Sequence, residues 1–238
     1  MAAAKKIPAT VTAVIHHLDG VRTLLLKPQR RIPKFAPGQF LHLAIDSYDP
    51  SLHWPDSRVF SICSAPESRD EVRITFSKVG KFTSRMMELT EGDDVWLKLP
   101  YGDFTIAGHG HKTNILIAGG TGITPFMSWI WSEAKETCET KIIYGARSPE
   151  HLIFENALNT ACYENGNLSW TPFLEEGEYP GAIRGRLNIN DIFRVCKIDL
   201  SHKDYNFFIS GPPQMIDYFQ KSLIDKSVPQ KNIFVDAW

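Results

Sequence analysis

The sequence predicts a two-domain chain: an antiparallel β-barrel over residues 1–106, then an α/β domain with a parallel sheet over residues 107–238. Three observations predict it. The length of 238 residues suits one large or two compact domains rather than a single small one. The first hundred residues carry short alternating apolar runs separated by turn residues, the rhythm of an all-β unit. After PYGDFTIAGHGHK at 100–112 the rhythm becomes continuous apolar run, glycine turn and helix, repeated, which is the pattern of a parallel sheet covered on both faces.

In the first half, Val11, Ala13 and Ile15 alternate with Thr10, Thr12 and Val14, and VRTLLLK follows at 21–27. A Pro- and Arg-rich loop leads to QFLHLAI at 39–45 and RVFSICS at 58–64. EVRITFS is the clearest strand: Val72, Ile74 and Phe76 share one face, Arg73, Thr75 and Ser77 the other. Val95, Leu97 and Leu99 repeat the pattern opposite Trp96 and Lys98, after the helix-like insert FTSRMMEL. A barrel is favoured over a sandwich because closure removes exposed edges.

In the second half, TNILIAGG at 113–120 is a buried strand running into glycines, and Thr124-Pro125 opens a helix with Met127, Ile130, Trp131 and Ala134 on one face. TKIIYGA at 140–146, a helix near 149–160, LSWTPFL at 168–174, a short helix near Asp191 and DYNFFISG at 204–211 continue the alternation. A last helix begins at Pro212-Pro213 with the stripe Ile216, Phe219 and Leu223, and NIFVDAW closes the chain as a strand.

Composition excludes several function classes. Lys and Arg total 26 against 27 Asp and Glu, a net charge of −1, so no global field draws the chain to nucleic acid or an anionic membrane. The four Cys, at 63, 138, 162 and 196, form no C-x-x-C pair, which sets aside zinc ribbons and thioredoxin-type sites. Thiols so scattered suit a reduced, cytoplasmic chain. The start MAAAKKIPATV lacks the apolar core of a signal peptide, and no apolar run approaches ~18 residues, so the expectation is a soluble protein without membrane insertion. His109-Gly110-His111 and His16-His17 are expected to be solvent-facing rather than metal ligands, Cys63 a buried structural thiol, and Met86-Met87 core packing.

Two motifs carry chemistry. Gly119-Gly120-Thr121-Gly122-Ile123-Thr124-Pro125 sits at the carboxyl end of a buried strand, directly before a helix, where glycines admit a pyrophosphate and free N–H groups donate to it. It is not the G-x-G-x-x-G fingerprint. Arg58-Val59-Phe60-Ser61 places Arg58 and Phe60 on one side of a strand: a guanidinium fork suits a diphosphate, and a flat ring suits stacking.

Taken in order, Arg58-Val59-Phe60-Ser61, Gly80-Lys81-Phe82-Thr83, Pro100-Tyr101-Gly102-Asp103-Phe104, Gly120-Thr121-Gly122-Ile123-Thr124-Pro125 and Ser210-Gly211-Pro212-Pro213 resemble the ferredoxin–NADP reductase superfamily over essentially the whole chain. The resemblance implies a six-stranded antiparallel flavin-binding barrel joined to an NAD(P)-binding α/β domain. It implies that Arg58 binds the flavin pyrophosphate, with Val59 beside it, Phe60 next to the isoalloxazine and Ser61 near N5. Gly80, Lys81, Phe82 and Thr83 would hold the pyrophosphate at a helix start. Gly120, Thr121, Gly122, Thr124 and Pro125 would receive the pyridine nucleotide, with Thr121, Ser210, Gly211 and Pro212 around the nicotinamide. The catalytic set implied is Ser61, Ser210, Asp236 and Trp238.

The chain departs from the family pattern at two places of consequence. Phe60 stands where the family usually has Tyr, and Ser210 where it commonly has Cys. The end, Asp236-Ala237-Trp238, resembles the family's carboxylate, spacer and flavin-covering aromatic. After the second strand of the nucleotide domain, Arg147 and Ser148 lean toward the 2′-phosphate of NADPH, with Arg184 or Arg186 as a second cation, while Glu150 suits NADH.

The activity implied is hydride transfer from NAD(P)H to flavin N5, FAD being the expected cofactor and FMN the alternative. Electrons then pass to a separate acceptor such as ferredoxin or flavodoxin, since the Cys spacing does not match C-x4-C-x2-C…C for an iron–sulfur cluster in this chain. The alternatives are a reductase component of an oxygenase, a flavin or ferric reductase, and a flavin-bearing electron-transfer or regulatory subunit without independent turnover.

Overall fold

The computed structural model describes residues 3–18, 20–106, 112–133, 138–201 and 204–236. His109-Gly110-His111, Ala134 and Ala237-Trp238 lie outside the described residues. The chain divides into two compact units, Met1–Ala107 with Thr124–Ala134, and Gly108–Ile123 with Lys135–Trp238.

The first unit is built on β1 (Lys5–Leu18), β2 (Val21–Pro28), β3 (Phe40–Ala44), β4 (Ser57–Ser61), β5 (Val72–Ser77) and β6 (Asp94–Tyr101). They pair antiparallel in the order β4-β3-β6-β1-β2-β5. The two ends of the sheet approach each other just past β4, where the Cys63 N–H donates to the Arg73 carbonyl at 2.8 Å, so the sheet nearly closes into a six-stranded barrel.

Period-two alternation fills its interior: Ile7, Ala9 and Val11, Leu24 and Leu26, Leu41 and Leu43, Val72, Ile74 and Phe76, and Val95, Leu97 and Leu99 are all buried in one cluster. Each of the Val, Leu, Ile and Phe side chains among them contributes about 1.5–3 kcal/mol through removal from water. The alternation expected to run on to Ala13 and Ile15 stops being an inward face at Val11. A register shift falls between Val11 and Ala13, and Ile15 is exposed; a bulge bends the strand and re-aims the side chains beyond it.

Between β5 and β6 lies α1 (Lys81–Met86), whose Phe82 and Met86, four apart on one face, join the barrel core. The first unit also holds α2 (Thr124–Ile130). The sequence places Met127, Ile130, Trp131 and Ala134 on one apolar face of this helix; all seven residues of α2 are buried, and it ends at Ile130, before Trp131. Ser128 Oγ donates to the Ser64 carbonyl at 2.8 Å and the Arg73 guanidinium lies 5.5 Å over the Trp131 ring.

The second unit contains β7 (Thr113–Gly119), β8 (Thr140–Ala146), α3 (Glu155–Glu164), β9 (Leu168–Leu174), β10 (Ile183–Arg184), α4 (Ile189–Cys196), β11 (Tyr205–Ser210), α5 (Pro213–Asp225) and β12 (Ile233–Val235). Its sheet is parallel throughout, in the order β10-β9-β8-β7-β11-β12. All residues of β7 and β11 are buried, which explains their unbroken apolar runs. Ile115, Ile117, Phe207 and Ile209 pack in one cluster with Ile192 of α4 and with Ile216, Phe219 and Leu223, the stripe of α5. Asn188 caps α4, its side chain accepting from the Asp191 N–H at 2.9 Å.

Candidate functional site

In a parallel sheet, ligands collect beyond the carboxyl ends of the strands, at the point where the strand order reverses. Here the order runs outward from β7 through β8, β9 and β10 on one side, then restarts with β11 and β12 on the other. The reversal lies between β7 and β11, whose ends pair Ala118 with Ser210. The two motif loops, Gly119–Thr124 and Ser210–Pro213, leave the sheet from those ends.

The glycines of these loops divide their labour in a way the motif alone does not reveal. A Cβ on Gly122 would stand 2.3 Å from the Ser210 carbonyl oxygen, and one on Gly211 would stand 3.2 Å from both the N and O of Gly119. Gly119 would meet Met215 Sδ at 2.6 Å. These three let two backbones and α5 close on each other, rather than clearing room for a ligand. Gly120 is different: its φ is +55° and a Cβ there meets nothing within 4 Å, so Gly120 borders open space, with the half-buried Thr121 following it. Residues Gly120–Ile123 form a 3-10 turn before α2 begins at Thr124, and Thr124 and Pro125 are buried in that helix.

Ser210 and Asp236, far apart in sequence, meet at this edge. The Ser210 hydroxyl donates to Asp236 Oδ2 at 2.9 Å, and the Asp236 N–H extends the β11–β12 pairing by donating to the Ile209 carbonyl at 2.9 Å. Trp238 lies outside the described residues.

At the neighbouring strand ends, Arg147 follows β8 and its guanidinium pairs with Glu176 at 3.3 Å. Ser148 Oγ donates to Glu150 and lies 2.7 Å from His151 Nδ1. One hydroxyl has one proton, so the imidazole is the donor at Nδ1. The Ser148 hydrogen bond holds the Glu150 carboxyl below its usual range. Arg186 pairs with Glu175 at 2.9 Å, and Arg184 stands exposed on β10. The sequence named the arginines here but not Glu175 and Glu176; two carboxylates at the end of the LSWTPFL strand were the available signal.

In the barrel unit, the Arg58-Val59-Phe60-Ser61 and Gly80–Thr83 motifs come together, the Arg58 guanidinium lying 5.0 Å over the Phe82 ring. Arg58 is 53% exposed and binds Asp56 at 2.5 Å and the Ser57 carbonyl at 2.8 Å. Val59 is half-buried and pairs with His42 of β3. Phe60 is 8% exposed, belongs to the barrel core and meets Phe76 edge-on at 6.1 Å, and Ser61 beside it is buried. Arg58 and Phe60 thus share a side of β4 but differ in depth.

The Thr83 hydroxyl closes its own turn: it accepts from the Val79 and Gly80 N–H groups at 2.8 and 3.0 Å and donates to the Gly80 carbonyl at 3.1 Å. The first helical bond of α1 is Ser84 N–H to the Gly80 carbonyl, so the N–H groups of Lys81, Phe82 and Thr83 have no helical acceptor. Gly80 borders open space.

The four thiols are free. Cys63 is buried and burial pushes its thiol up to about 12, which keeps it protonated and unreactive, the structural role expected of it. His17 Nε2 lies 2.7 Å from Thr23 Oγ1, and the described residues contain no group of His, Cys, Asp and Glu that could hold a metal ion.

Comparison with known proteins matches residues 116–221 to the family of oxidoreductase NAD-binding domains. The reductase component of propane 2-monooxygenase from Mycolicibacterium smegmatis is 27% identical over 214 residues, covering 86% of this chain and 59% of that one. The chain thus spans about six-tenths of the length of that relative. Among solved structures, a ferredoxin NADP+ reductase from Neisseria gonorrhoeae with bound FAD and NADP superposes with a TM-score of 0.77 at 20% identity, over 99% of this chain and 98% of that one. The Amycolatopsis cytochrome P450 reductase GcoB gives 0.81 at 19%, over 98% and 69%. A near-closed antiparallel barrel followed by a parallel sheet that reverses between β7 and β11 gives this chain the two-domain fold of that ferredoxin NADP+ reductase, and residues 116–221 within it are similar to oxidoreductase NAD-binding domains.

Proposed function

We propose that the chain is a flavin-dependent NAD(P)H oxidoreductase. Residues 1–106 hold the flavin and residues 107–238 deliver the pyridine nucleotide. The observation that carries this reading is the pair of glycine-bearing loops at the strand-order reversal between β7 and β11, within the segment that matches NAD-binding domains.

The donors present fit a dinucleotide diphosphate. Arg58 offers an exposed guanidinium, held flat by Phe82, and Lys81, Phe82 and Thr83 offer N–H groups without helical acceptors, with Gly80 leaving their approach open. An arriving diphosphate competes with Asp56 for Arg58, an exposed ion pair of the kind worth little. Phe60 forms the barrel wall beside the isoalloxazine, with Ser61 next to it. When bound, FAD, or FMN in its place, supplies the two-electron acceptor for NAD(P)H and the one-electron donor for an acceptor.

Gly120, Thr121 and the Ser210–Pro212 loop receive the nicotinamide end of the nucleotide, and Asp236 orients Ser210 there. The acceptor is a separate protein such as ferredoxin or flavodoxin. The propane monooxygenase relative favours a second reading, the reductase component of an oxygenase. Free thiols and the need for NAD(P)H suit the cytoplasm; no described helix is long and apolar enough to cross a membrane.

Anaerobic mixing of the purified flavoprotein with NADH and NADPH tests the proposal. Bleaching of the flavin band by either nucleotide is expected. A protein that neither retains nor binds flavin overturns the reading.

A further inference from the structure

Resting on that reading, we infer that the adenosine-ribose end of the nucleotide site selects a nucleotide lacking a 2′-phosphate, and that Glu176 sets this selectivity by holding Arg147. The two residues are brought together by the backbone as well as by their charges. Beyond the last paired residues of β8 and β9, the Glu175 N–H donates to the Ala146 carbonyl at 3.3 Å and the Glu176 N–H to the Arg147 carbonyl at 2.8 Å.

The next turn is locked as well. Gly177 has a φ of +78°, and a Cβ there would meet Pro149 Cδ at 2.8 Å, so the loops after β8 and β9 pack without room for a side chain. Glu176 therefore stays beside Arg147 even when the ion pair opens. That matters because the pair itself is exposed and weak, and a phosphate could displace it. What a phosphate cannot displace is the tethered carboxylate, which repels a dianion at contact range and offsets the attraction of the single guanidinium.

The other groups at this edge are committed in the same way. Arg186 is paired with Glu175, and the Ser148 hydroxyl is spent on Glu150 and His151. Arg147 and Arg186 are each paired with a glutamate, and Glu150 beside Ser148 adds a third carboxylate, so the paired groups leave no excess of positive charge for a 2′-phosphate. Arg184 has no ion-pair partner among the described residues, but β10 lies two strands from β8, about 10 Å away. Carboxylates at a strand end suit the paired hydroxyls of an unmodified ribose. Arg147 and Ser148, which in sequence lean toward NADPH, are thus turned by their partners toward NADH.

Calorimetric titration of the purified full chain with ADP-ribose and with 2′-phospho-ADP-ribose tests this without relying on turnover. The wild type should bind ADP-ribose at least about tenfold more tightly. Glu176→Gln should raise affinity for the phosphorylated ligand about tenfold, the scale of one freed charge-assisted contact, while ADP-ribose changes less than about twofold. Adding Arg147→Ala should erase that gain, and Arg184→Ala in the wild type should change neither ligand.

Wild-type preference for the phosphorylated ligand overturns the inference, as does a Glu176→Gln variant that leaves the ratio of affinities unmoved. If NADH and NADPH bleach the flavin equally, the inference fails while the reductase reading stands. If the wild type binds neither fragment, the placement of the nucleotide site fails too.

Discussion

Ser210 donates from Oγ to Asp236 Oδ2 at 2.9 Å, at 2% and 8% exposure, and so joins the ends of two strands that meet only because β12 adds beside β11. A hydroxyl bound to a carboxylate away from water is one of the stronger side-chain links a protein forms. Ser210→Ala should therefore lower stability by about 1–3 kcal/mol, read as a shift of the urea midpoint. Ser210→Cys should recover little, a thiol being a weak donor. An unmoved midpoint in Ser210→Ala would show that the pair contributes nothing.

Arg58 is the one cation of the barrel motif that lies over Phe82. Loss of its phosphate contact in Arg58→Ala should weaken flavin retention by about 1.5–3 kcal/mol. The flavin-to-protein ratio after gel filtration measures it, and undiminished retention would remove Arg58 from the site.

The loop glycines should respond differently to one methyl group. In Gly122→Ala the new Cβ would press on the Ser210 carbonyl at 2.3 Å, a backbone atom that cannot swing aside. The expected cost is about 1–3 kcal/mol or more, with nucleotide affinity falling because the two loops part. Gly120→Ala meets no atom and costs only the left-handed backbone, about 1–2 kcal/mol. A urea midpoint lowered less by Gly122→Ala than by Gly120→Ala would contradict this division.

Alkaline pH should weaken the fold through its buried acids. Burial lifts the thiols of Cys63 to about 12 and Cys196 to about 11, against 9 for an unperturbed thiol, and lifts the Tyr144 phenol as well. Between pH 9 and these values the unfolded chain has lost protons that the folded chain retains, so stability is intact below 9 and declines as pH rises. The slope per group approaches about 1.4 kcal/mol per pH unit. Urea midpoints from pH 8 to 11 should fall, and less steeply in Cys63→Ala. A midpoint that rises with pH would contradict the sign.

Much of the fold was legible because its signals are local. Ile216, Phe219 and Leu223 form a helical stripe and are buried as such, and Val72, Ile74 and Phe76 alternate and point inward. The bulge after Val11 was not, since nothing in the sequence near Ala13 marks where β2 slips its register. The burial of all seven residues of α2 was not legible either, because it depends on what the helix packs against.

For the site, chemistry-bearing residues could be named one by one, while their partners could not. Ser210 and Asp236 were both singled out, but their bond needs the parallel pairing of two strands 26 residues apart. Arg147 read as a phosphate binder until Glu176, carried in on a different strand, stood next to it.

The contact between Gly177 and Pro149 makes the loops after β8 and β9 a single exchangeable cassette. Grafting residues 147–151 from a homologue with different cofactor preference, while leaving 175–177 in place, would replace Arg147 and Ser148 and keep the acid that stands beside them. Recombination that respects the cassette moves both halves at once. Engineers who cut between them inherit a chimera whose donor preference reports the older half.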